Sequence, residues 1–172
     1  IGEQVSALCF DRHAAELGKT VYMYDGSIDE LPYNHQNFVF KSEHLYAEKI
    51  KDHIDGNGHK NETNMVLKMD IEGHEYPVIN TDINVIKDHF DQLSIEMHSL
   101  IEEIPEGWDI QEPMLHMKTN HAAKEDFFDK ILEHYNIVHI HGNNHAPRHV
   151  DFPDSLEITF LRKDHRVLEI DK

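Results

Sequence analysis

The chain has little of what several functional classes require. One cysteine, Cys9, in 172 residues excludes an internal disulfide framework and fits a reducing compartment, so the cytoplasm is the expected location. No apolar run approaches the ~18 residues of a membrane span, and the first residues have the pattern of neither a signal peptide nor a transit sequence. Positive charge is scarce. Sixteen Lys plus Arg stand against 33 Asp plus Glu, and the formal net charge of -17 opposes nucleic acid and anionic membrane surfaces as partners. HExxH and closely spaced Cys/His sets are absent, so most of the 16 histidines are expected at the surface.

What remains is a chain long enough for a single domain spanning residues 1–172, with strands and helices in alternation. Ala7, Phe10, Ala14 and Leu17 recur at helical spacing within Gln4 to Leu17, and Gly18 supplies a stop. The run "KTVYMYDGS" predicts a strand ending at Asp25-Gly26, and "NFVFK" a second, followed by a helix from His44 to His53. "NMVLKMDIE" is nearly continuous in apolar residues, as expected of a strand covered on both faces. Ile79, Ile83, Ile86 and Phe90 then predict a helix that "NTD" at Asn80 to Asp82 would break in two. "QLSIEMH" is a strand. Residues 99–120, holding Pro105, Gly107, Trp108 and Pro113, have no period and read as an insertion or lid. A helix carrying Phe127, Phe128, Ile131 and Leu132 leads to the strands "NIVHIHG" and "SLEITFLRK". The pattern predicts an α/β fold, a three-layer sandwich with a mostly parallel sheet and an antiparallel last strand. Ligands of such sheets lie at the carboxyl ends of the strands.

The strand ends carry polar residues. "LKMDIEGHEYPVI" leaves an apolar run for Asp70, Glu72, His74 and Glu75, a segment that serves a salt-rich loop, a helix cap or a site equally well. Asp25 with Gly26 is both a turn signal and a strand-end acid. Glu96 is harder to explain by structure alone, because a carboxylate within an apolar strand needs a partner or a ligand. His98, two residues on, shares its face. His141, Asn143 and Asn144 close the next strand, where a turn is the simpler explanation.

"LKMDIEGHEYPVI", "LSIEMH", "IHGNN" and "PDSLEITFLRKD", in that order, resemble the signatures of the FkbM-type methyltransferases, a class I family that uses S-adenosylmethionine. The resemblance implies a Rossmann-like fold whose first strand and most of whose glycine loop are missing or truncated, since the chain opens at Ile1-Gly2 without an initiator Met. It implies S-adenosylmethionine as cofactor, held by Gly2 and Glu3 near the first helix, by Asp25 at the ribose hydroxyls, and by Asp70 with Glu72 near the sulfonium. His98 is the expected base, with Glu96 orienting it or touching substrate and His141 as second choice. Asn143, Asn144 and Trp108 are the expected substrate contacts. The expected reaction is O-methylation of a small hydroxylated molecule such as a sugar or glycolipid precursor. Two other readings stay open. One is a metal-dependent hydrolase or metal-assisted methyltransferase, with Asp70, Glu96 and His98 as the core of the ligand set and Glu72 and His141 beside it. The other is a non-catalytic, truncated binding module.

Overall fold

A computed structural model describes residues 9–100, 121–143, 148–149 and 152–164. The chain divides into two compact units, Ile1–Leu45 and Tyr46–Lys172.

In the first unit, helix α1 (Cys9–Glu16) precedes strands β1 (Val21–Tyr24) and β2 (Phe38–Lys41), which pair in parallel with Val21 opposite Phe38. Asn37 ties helix to sheet through its side-chain amide, which donates to the Ala15 carbonyl at 3.0 Å. Residues 19–24 and 37–41 are rich in β-branched and aromatic side chains, which suit a pleated, half-covered surface.

The second unit holds helix α2 (Ile50–Gly56), β3 (Met65–Met69), α3 (Glu75–His89), β4 (Phe90–Met97), α4 (His121–His134), β5 (Tyr135–Gly142), the short pair β6 (Arg148–His149) and β7 (Phe152–Pro153), and β8 (Leu156–Arg162). Its sheet runs β3-β4-β8-β5, with β3 and β4 parallel and β8 antiparallel to both neighbours. The antiparallel last strand is thus observed, and it lies between β4 and β5. The 13 residues from 143 to 155 that join β5 to β8 fit this course, since antiparallel strands need no crossover helix.

Ile79, Ile83 and Ile86 form the buried face of α3, as their spacing predicts. Phe90 does not continue the helix but opens β4, still buried. The expected break at Asn80 to Asp82 does not occur, because the side chains of Asn80 and Asp82 are engaged outside the helix ladder, while Thr81 is exposed. Asn80 donates to the Ala123 carbonyl of α4 at 3.1 Å, and Asp82 accepts the Glu48 amide at 2.8 Å. Pro77 stands in the first turn, where its missing N–H leaves no helical bond unmade. Helix α2 starts at Ile50, later than expected, and the backbone before it passes through a left-handed Glu48 at φ 69°.

Helices α3 and α4 pack together with edge-on contacts of Tyr76 on Phe127 and Phe127 on Phe160 of β8, ring centroids 5.5 and 6.4 Å apart. Leu93, Ile95 and Met97 of β4 and Ile158 of β8 complete this core. Tyr135 fixes the start of β5 by donating to the Phe90 carbonyl at 2.8 Å. The expectation of a β3 covered on both faces is corrected. In its sheet β3 is an edge strand whose alternate residues Val66 and Lys68 are exposed, so it buries one face only. Among the described residues no helix is long and apolar enough to cross a membrane.

Candidate functional site

The carboxyl ends of the parallel strands β3 and β4 meet at one side chain, His98. Strand β4 ends at Met97, and the chain turns away at Ser99, which has the left-handed φ of 57°. From β3 the chain enters a tight loop in which Glu72 and Gly73 are both left-handed, at φ 55° and 98°. For Glu72 that conformation costs on the order of 1–3 kcal/mol, whereas glycine adopts it freely. The double turn brings three acids of one short stretch, Asp70, Glu72 and Glu75, to the imidazole.

Their distances define the site. Glu75 Oε1 accepts from His98 Nδ1 at 2.9 Å. On the other side of the ring, Nε2 lies 3.6 Å from Glu72 Oε2 and 3.7 Å from both Asp70 Oδ1 and Glu96 Oε1. Exposure grades across this arrangement: the Glu75 side chain is 0% exposed, His98 12%, Glu96 16%, Asp70 43% and Glu72 62%. The site is therefore anchored at the bottom by Glu75 and open to solvent at Asp70 and Glu72. Asn143, past the end of β5, donates its amide to Glu96 Oε1 at 2.6 Å. Tyr76 donates its hydroxyl to the His98 carbonyl at 2.7 Å.

Electrostatics follow from these contacts. Burial works against a charge on His98, but the hydrogen bond and charge of Glu75, with Glu72 and Glu96 behind it, outweigh that and push the ring from 6.5 up to about 9. Near neutral pH it is an imidazolium, a donor at both nitrogens, and not the neutral proton acceptor expected from the sequence. Burial pushes the Glu96 carboxyl up, and the Asn143 amide only partly offsets this. Asp70, Glu96 and His98 offer donor atoms within 4.8 Å of one another, a spacing compatible with the metal-ligand set expected from sequence. The proton on Nε2 competes for the place an ion would take.

The structure thus brings Asp70, Glu72, Glu96, His98 and Asn143 together. It does not bring His141 to them. In register, His141 faces Glu157 of β8, which faces Glu96, so the whole of β8 stands between them and the separation is about two strand spacings, roughly 10 Å. Asp25 lies in the first unit, where its Oδ1 accepts both the backbone N–H and the hydroxyl of Ser27, at 2.8 and 2.6 Å, in a local turn. Gly2, Glu3, Trp108 and Asn144 lie outside the described residues. His74, singled out in the sequence, packs its ring edge-on against Tyr46 at 5.8 Å. The residue that sequence reasoning did not assign is Glu75. Its signal was its place at the start of a helix whose next residue is aromatic, but its partner sits 23 positions away.

Acids and a histidine gather where two parallel strands end, the place at which ligands of open α/β sheets generally bind. Residues 40–142 match the model of the methyltransferase FkbM domain, and the chain belongs to that family of methyltransferases. The matched span contains Asp70, Glu72, Glu75, Glu96, His98 and His141, and starts after Asp25. Neither curated proteins nor solved structures gave a significant match.

Proposed function

We propose that the chain is an S-adenosylmethionine-dependent O-methyltransferase acting on a small, hydroxylated, uncharged or cationic acceptor such as a sugar. The observation that carries the reading is the set of carboxylates around His98 at the ends of β3 and β4, inside the span that matches the methyltransferase domain. The same reading takes the four-stranded sheet as part of a three-layer Rossmann-like sandwich.

The chemistry of the donor set fits a sulfonium cofactor, because Asp70 and Glu72 are the exposed anionic groups of the cluster and offset positive charge. Asp70 and Glu72 would hold its cationic end. S-adenosylmethionine supplies an electrophilic methyl group when bound. The protein's contribution is alignment of the acceptor oxygen with that methyl group and removal of a proton from the acceptor. Glu96 suits the second task, since burial makes its carboxylate more basic and Asn143 fixes its orientation. His98, charged at neutral pH, holds Glu96 and Asp70 in place and becomes a base itself only above pH of about 9. Four carboxylates around one cation repel phosphates and carboxylates, which is why the acceptor is assigned as uncharged or cationic.

Calorimetric titration of the chain with S-adenosylhomocysteine is expected to give stoichiometric binding, weakened about tenfold or more by Asp70→Ala through loss of a charge-assisted contact. No binding to the unaltered chain would overturn the cofactor assignment.

A further inference from the structure

We propose that Glu75 is the positioning residue of this site, setting the ring orientation and proton placement of His98. The proposal rests on the methyl-transfer reading for its catalytic consequence, and on geometry alone for its structural part.

Three segments converge on one carboxylate oxygen. Glu75 Oε1 accepts the Ile71 backbone N–H at 3.0 Å and the His98 Nδ1–H at 2.9 Å, so a residue in the first turn of α3 ties the loop after β3 to the end of β4. The next helix residue, Tyr76, holds the His98 carbonyl at 2.7 Å, so one helix turn fixes both the side chain and the backbone of His98. Immediately beyond, the left-handed Ser99 takes the chain away from the line of the strand.

The identity of the residue matters as much as its place. An ionised carboxylate is acceptor-only, so the imidazole nitrogen facing it must carry a proton, and Nε2 is left facing Asp70, Glu72 and Glu96. Turning the ring over would present a carbon to Glu75 and lose the bond. Structure alone does not demand a charge here. The two N–H donors need only one oxygen, and Glu75 Oε2 is buried with no hydrogen-bond partner among the described residues, an expensive state for a carboxylate. A neutral acceptor would tie the same loop; what the carboxylate adds is directed at His98.

The test uses the full chain with ¹⁵N-labelled histidine. In the unaltered protein, the His98 Nδ1–H is expected as a slowly exchanging, low-field ring proton, and Glu75→Gln, nearly isosteric, is expected to move it upfield while far-UV circular dichroism stays unchanged. Glu75→Ala is expected to abolish it. In methyl transfer, Glu75→Ala should lower kcat about tenfold or more with little change in KM, as misplacement of a group near reacting atoms does, and Glu75→Gln should recover part of the loss. A His98 ring signal unaltered in a folded Glu75→Gln protein overturns the proposal. So does a kcat within about twofold of the original in folded Glu75→Ala, set against the tenfold expected of misplacement. If the chain transfers no methyl group yet the ring signals respond as stated, the functional reading fails and the positioning role stands.

Discussion

The pairing of His98 with buried Glu75 makes stability depend on pH in a window where few other groups titrate. The native state holds a proton on His98 up to pH of about 9, whereas the ordinary value is 6.5. Because the native pKa is the higher one, the contribution is whole below pH 6.5 and is lost as pH rises through about 9. At ~1.4 kcal/mol per unit, the difference corresponds to about 3 kcal/mol, and the ring is too little exposed for solvent to screen much of it. A sizeable part of the stability of a domain this size is at stake. The natural comparison is not His98→Gln alone, which strands a buried charge on Glu75. The double variant Glu75→Gln/His98→Gln removes both charges and keeps an amide donor facing an amide acceptor. Urea denaturation followed by far-UV circular dichroism, at constant ionic strength from below pH 6.5 to above pH 9, gives the free energy of each protein. The difference between them should shift against the original protein by about 3 kcal/mol across the window, with a maximal slope near 1.4 kcal/mol per pH unit. A difference that stays flat from pH 6.5 to 9, or one that grows in favour of the original protein, would refute the assignment of the proton to His98.

Two further substitutions probe how the site is held. Tyr76→Phe removes the donor to the His98 carbonyl in a fully buried position and should cost about 1–2 kcal/mol in the same denaturation assay, with the core otherwise intact. Gly73→Ala forces a side chain into a buried left-handed turn and should cost roughly 1–3 kcal/mol, accompanied by weaker S-adenosylhomocysteine binding because Glu72 is part of that turn and Asp70 leads into it.

Local patterns were legible along most of the chain. The three isoleucines of α3 lie where a 3.6-residue period places them, and the strands fall where β-branched runs end in turn residues. Asp70, Glu72, Glu96 and His98 were each identifiable as strand-end polar groups, and Glu96 stood out because a carboxylate inside an apolar strand demands a partner. The break expected at Asn80 to Asp82 was a case of side chains that local propensity reads as turn formers but that find partners in α4 and in the loop at Glu48.

The order of residues along the chain thus determined which groups stand at strand ends and which faces of α3 and β4 are apolar, because those properties depend on spacings of two to four residues. Tertiary structure alone decided that β8 comes between β4 and β5, separating His141 from Glu96, and that β3 exposes one face. It also decided that Asn143 serves Glu96, and that Glu75 rather than Glu72 is the buried partner of His98. These are contacts between residues tens of positions apart, made by strand order and by two consecutive left-handed residues, and no local period encodes them.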